Sequence, residues 1–181
     1  QTKRSLIYRI GGTLELPSNL NGEQLLSYSN SVVTDSSFFM DGSAGMPLHY
    51  GIGFSISRPN KWTVGLDVDL RNWSDFSYFN ETNTLQNSLE VRLGGEYIPE
   101  ILSRNYFKRW ALRGGLYLNN TGIVVAGNPV TEYGITAGFG VPIGRFNPIT
   151  RDFSRVNVGV SVGQRGSLSE NPLEELNINL R

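Results

Sequence analysis

One histidine and no cysteine in 181 residues leave little for nucleophilic, metal or redox chemistry. With no thiol and no second imidazole beside it, His49 supports neither a His-based metal site nor a Ser-His-Asp triad. The best acid/base candidates are Asp67, Asp69 and Glu96, since paired carboxylates can donate and abstract protons. Asp67 and Asp69 stand two apart on one strand face, however, with Arg71 and Arg92 in the same polar set. That is the pattern of a cross-strand charge network. The run Gly138-Phe139-Gly140-Val141-Pro142-Ile143-Gly144 looks superficially like a phosphate-binding loop. Its glycines keep strand period and no helix opening on Lys-Ser/Thr follows, so the expected role is to let a sheet bend. Trp73, Phe76, Tyr78 and Phe79 fit interface anchoring better than a ligand platform. Sequons at Asn72, Asn80 and Asn119 receive no assignment. No enzyme activity, metal or cofactor is expected.

Positioning these residues requires a scaffold, and bulk composition bounds it. The length suits one domain. Sixteen basic residues against sixteen acidic ones leave no net positive charge for a phosphate backbone, so nucleic acid is not an expected partner. No apolar run approaches the roughly 20 residues of a membrane-spanning helix, and no signal peptide opens at Gln1.

The arrangement of apolar residues says more. From Trp62 to Leu70 every even position is apolar and every odd one is polar or glycine. This period of two is the strand signature. It returns at Tyr50, Ile52, Phe54 and Ile56, at Leu89, Val91 and Leu93, and at Trp110, Leu112, Leu116 and Leu118. Tyr133 to Val141, Val156 to Val162 and Leu176 to Leu180 repeat it. Two weaker strands are expected over about residues 4–16 and 24–33. Arg58-Pro59-Asn60-Lys61 and Asn119-Asn120-Thr121-Gly122 read as turns. The stretch Pro99 to Lys108 reads as a connector with room for one helical turn.

Several features favour a membrane barrel over a soluble sandwich. The alternating runs extend to about nine to eleven residues, the length of a tilted membrane-spanning strand. Their apolar face excludes charge, and aromatics such as Trp62, Trp73, Tyr97, Trp110 and Tyr133 sit near strand ends. The expected fold is therefore all-β, an antiparallel transmembrane barrel in the bacterial outer membrane. Val64, Leu66, Val68, Leu89, Val91, Leu116, Phe139, Val158 and Val160 are expected to face lipid. Asp67, Asp69, Arg71, Glu90, Arg92, Glu96 and Arg113 are expected to line the interior as a polar network. With short turns on the periplasmic side, the connections at 72–87, 119–132 and 165–172 become extracellular, and about nine strands result. An odd count implies that residues 1–181 form a single barrel domain incomplete at its N-terminus.

The runs Lys61 to Asp69 with Asn72 to Phe76, Leu93 to Pro99, Arg113 to Tyr117, Glu132 to Gly144, Val156 to Val160 and Gly163 to Gly166 resemble successive strands of the FadL-like outer-membrane proteins of Bacteroidota. That resemblance implies the C-terminal part of a barrel of about fourteen strands. It also implies transport, as a passive channel for small hydrophobic molecules. The alternative expectation is a barrel subunit or anchor of a larger envelope assembly, such as a secretion or surface-display complex, with other envelope proteins as partners beside outer-membrane lipid. A soluble β-sandwich binding module is the third and weakest reading.

Overall fold

A computed structural model of the chain describes residues 5–30, 33–79, 85–147, 149, 152–166 and 174–180. The strands are β1 (Ile7–Glu15), β2 (Ser18–Asn30), β3 (Val33–Met46), β4 (His49–Arg58), β5 (Trp62–Arg71), β6 (Ser77–Tyr78), β7 (Ser88–Tyr97), β8 (Ala111–Val125), β9 (Asn128–Asn147), β10 (Asp152–Gly166) and β11 (Glu174–Leu180). Eight of them form one sheet in the order β1-β4-β5-β7-β8-β9-β10-β11, and β2-β3-β6 form a second. Every pairing is antiparallel.

The sheet has two ends. The turn end holds the β4–β5, β7–β8 and β9–β10 connections; the loop end holds the β5–β7, β8–β9 and β10–β11 connections and the second sheet. At the turn end Lys61 N–H donates to Arg58 O at 3.0 Å, and Asn60 takes φ 58°. Pro59 presets the preceding φ, and asparagine tolerates the left-handed region better than most residues. The β7–β8 connector contains a short 3-10 helix at Tyr106–Arg109, where the Asn105 side chain accepts from Phe107 N–H.

Two expectations need correcting at the loop end. Residues 24–33 do not form a wall strand. β1 and β2 run against β4 and β3 in a single unbroken register, Glu15 facing His49 and Ser18 facing Met46, which puts Pro17 opposite Pro47. Each proline lacks the N–H that a ladder uses, so the hairpin leaves the large sheet at that step and projects beyond it. β6 pairs with the projection through Ser77 and Tyr78. Gly22 and Gly42 face each other there, and the Phe79 ring lies in the space they leave. The large sheet therefore has eight strands rather than about nine. With an even number, β1 and β11 run antiparallel to each other, yet they are not hydrogen-bonded neighbours.

The second correction concerns Asn119 to Gly122, which does not turn the chain. It lies inside β8 at a register shift, with Gly122 at φ 73° and the Thr121 hydroxyl donating to Val130 O at 2.7 Å. The turn is Ala126-Gly127, with φ of 51° and 86°. Two positive φ values between the paired residues Val125 and Asn128 match a type I′ hairpin. Part of the expected loops, residues 80–84 and 167–173, lies outside the described residues.

Among the described residues the buried apolar side chains are, prolines aside, Ile98, Ala111 and Val130. Among the described residues, substantial contact between strands occurs only between hydrogen-bonded neighbours, and no second layer of them covers the large sheet. A soluble sandwich buries its inner faces against each other, and this sheet has nothing of that kind.

Candidate functional site

Strand parity sorts the large sheet into two faces. On β5 the even residues Trp62, Val64, Leu66, Val68 and Leu70 share a face, and the register carries it to Leu93, Leu116, Ile135 and Val162 on successive strands. Val91, Leu89, Phe139, Val158 and Val160 lie on this face too; Trp62, Val68, Leu70 and Val91 are half-buried and the others exposed. Between the strand ends this face carries no charge.

The opposite face carries the candidate site. Asp67 stands across from Arg92, Asp69 from Glu90, and Glu96 from Arg113. The pairing is partly diagonal. The Arg92 guanidinium reaches Asp69 at 3.2 Å and takes Glu90 through its Nε at 2.6 Å and through a second, closer contact. Arg113 Nε donates to Glu96 at 2.7 Å, and its Nη1 donates to Asn157 at 2.7 Å. Asp67 and Arg71, both exposed, make no ion pair among the described residues.

Three residues outside the expected set complete the arrangement. His49 is buried at the first position of β4, its Nε2 3.1 Å from Asp69 and its Nδ1 3.2 Å from Glu15, the latter at an angle that forms no hydrogen bond. Tyr117 lies sideways across Gly134 and Gly163, its hydroxyl 3.3 Å from Glu132. Asn157 takes the far side of Arg113. Glycine makes the face work, because long side chains need bare neighbouring strands to lie across. A methyl group on Gly51 or Gly53 would sit 2.5 Å from the Asp69 or Asp67 carboxylate. Parity alone puts His49 beside Gly51 and Gly53 on the polar face, and that signal was available in the sequence.

Part of this face borders a hollow of about 960 Å³, lined by Asp67, Glu90, Arg92, Glu96, Arg113 and Tyr117 among others. Of its three carboxylates, Glu90 is bound by Arg92 and Glu96 by Arg113, and Asp67 makes no ion pair among the described residues. A carboxylate held in an ion pair is a poor base, and no nucleophile stands beside a free one. Among the described residues no group of His, Cys, Asp and Glu is arranged to hold a metal. The chemistry is that of a sheet face cross-linked by charged side chains.

A family model, BamG, matches residues 12–181. The chain belongs to the BamG family. Members of the BamG family are non-enzymatic components of the β-barrel assembly machinery in the outer membrane. This overturns the resemblance to FadL-like proteins and the passive-channel function, and removes what implied the fourteen-strand count. The misreading has a physical source. Alternation, strand-end aromatics and glycines on the wet face are what a bilayer demands of any barrel wall, so they carry no family information. Comparison with curated proteins and with solved structures gives no match.

Proposed function

We propose that this chain is a wall-forming structural subunit of the outer-membrane assembly machinery, its large sheet spanning the membrane within a closed barrel. The single observation that carries the reading is the charge-free apolar face left exposed across eight strands while almost nothing apolar is buried. Lipid covers such a face at no penalty, and water does not. In this reading Val64, Leu66, Val68, Leu89, Val91, Leu116, Phe139, Val158 and Val160 meet acyl chains. Asp67, Asp69, Arg71, Glu90, Arg92, Glu96 and Arg113 face a hydrated interior, where they tie neighbouring strands together. The unpaired edges of β1 and β11 cannot stay open in hydrocarbon, because each unsatisfied backbone group there costs several kcal/mol.

Purification of the tagged chain from membranes in mild detergent tests the proposal. Stoichiometric recovery with the core barrel of the assembly machinery supports it. Release from membranes by alkaline carbonate, or recovery as a lone protein, refutes it.

A further inference from the structure

We propose that the turn end of the large sheet is a collar that binds the headgroups of anionic phospholipids, their phosphates taken by Lys61, Arg104, Lys108 and Arg109. The proposal rests on the sheet spanning the membrane. Zero net charge conceals a strong polarity along the strands. No Lys or Arg falls between Arg9 and Arg58, between Arg71 and Arg92, between Arg113 and Arg145, or between Arg165 and Arg181. Each of those four gaps brackets one loop-end connection, and the gaps hold Glu23, Asp41, Asp75, Glu81 and Glu170. The turn-end connections and the strand residues that flank them hold Arg58, Lys61, Arg104, Lys108, Arg109 and Arg151 against Glu100 and Asp152.

Geometry turns this polarity into a surface of definite chemistry. The Lys61 ammonium sits 5.4 Å from the Tyr97 ring centroid and donates to Pro99 O. The Arg109 guanidinium lies between Tyr106 and Phe153, 5.2 and 5.6 Å from their centroids. Arg104, Lys108 and Arg109 make no ion pair among the described residues. Beside them the connector exposes Leu102 by 66% and Phe107 by 69%. Trp110 stacks on Phe139 at 5.3 Å, which makes the collar continuous with the apolar face. Cations interleaved with rings, next to exposed aliphatic and aromatic groups at the rim of a lipid-facing wall, match the boundary between phosphate and acyl chain. An acidic protein segment would supply the charge complement without a use for Leu102 and Phe107.

Native mass spectrometry of the detergent-solubilised assembly tests this, with phosphatidylglycerol or phosphatidylcholine doped into the micelles at equal fraction. The wild type should retain phosphatidylglycerol selectively. Each neutralised cation should weaken that retention roughly fivefold, so the K61Q/R104Q/K108Q variant loses about a hundredfold. The E23Q/D41N/D75N variant at the opposite end, and a K61R/R104K variant that keeps the charge, should retain it like the wild type. Equal retention of both lipids, or an unchanged triple variant, overturns the collar. So does tighter binding of inorganic phosphate or polyglutamate than of phosphatidylglycerol, the first marking a phosphate site and the second an acidic protein partner. Recovery of each variant in the assembly reports folding. Failure of the membrane reading itself would show separately, as extraction without detergent.

Discussion

Placing one arginine at two adjacent positions of β5 tests the two-faced wall most directly. Leu66 is 42% exposed in mid-strand, between Phe54 and Leu93 on the neighbouring strands. An arginine there has no carboxylate on its own face and sits too far from the strand ends to reach headgroups easily. Near the bilayer midplane such a change costs about 2 to 4 kcal/mol. Asp67, one residue on, points into the hollow between Gly53 and Arg92. Arginine at Asp67 meets Arg92 across the strand, but in a hydrated space with Glu90 and Asp69 close by, and like charges so placed cost under about 1 kcal/mol. In urea titrations of the chain refolded into phospholipid vesicles, a slope of about 2 kcal/mol per molar separates the two midpoints by about 0.5 to 2 M. Equal midpoints for L66R and D67R, or a larger loss for D67R, would refute the assignment of faces.

The packing of Tyr117 over Gly163 predicts that G163A destabilises the wall by about 1 to 3 kcal/mol, through displacement of the ring. The same change in a Y117S background should cost far less, which thermal unfolding of both pairs checks. Arg113 and Glu96 are each about a third exposed, so a double-mutant cycle with R113Q and E96Q should return only about 0.2 to 1 kcal/mol, shrinking in high salt. A coupling well above that would place the pair out of contact with water. Replacing both Pro17 and Pro47 by alanine restores two ladder donors. Hydrogen exchange should then show new protection at residues 17 and 47, and unchanged exchange there would contradict the register that sets the prolines face to face.

How much of this was legible in the sequence depends on what surrounds each strand. β4, β5, β7, β9 and β10 were readable because different environments on their two faces force a strict period of two. The projecting β2–β3 hairpin has no such contrast, and its run Ser18-Asn19-Leu20-Asn21-Gly22-Glu23-Gln24-Leu25-Leu26 follows no clean alternation. Its departure from the wall was nonetheless written in two prolines, and became visible only once the register set them opposite each other. Asn119 to Gly122 misled because the residues that favour a turn also favour a bulge, while Ala126 gave no turn signal. Parity was enough to gather the charged residues on one face. It did not give their partners, since Arg92 reaches diagonally to Asp69 although Asp67 stands directly across from it. Parity places His49 on the polar face, but its partners, Glu15 on one neighbouring strand and Asp69 on the other, follow only from the register.

The parity of the sheet constrains how it can be completed. Eight antiparallel strands leave β1 and β11 running in opposite directions. Any closed wall built from them must keep every neighbour antiparallel, so the number of strands inserted between these two edges is even, with zero included. A single added strand would lie parallel to one of its neighbours, in a ladder whose slanted bonds are weaker per residue. Past Glu174 at the loop end, both edges carry an uncharged apolar side, through Tyr8, Ile10 and Leu14 on β1 and Leu176, Ile178 and Leu180 on β11, so whatever pairs with them must present apolar residues on the matching side. Direct pairing of β1 with β11 meets that demand, and so does a hairpin with the same alternation. A helix or an irregular segment from a neighbouring subunit cannot, because it offers neither the ladder of donors and acceptors nor the period of two that a lipid-facing edge requires.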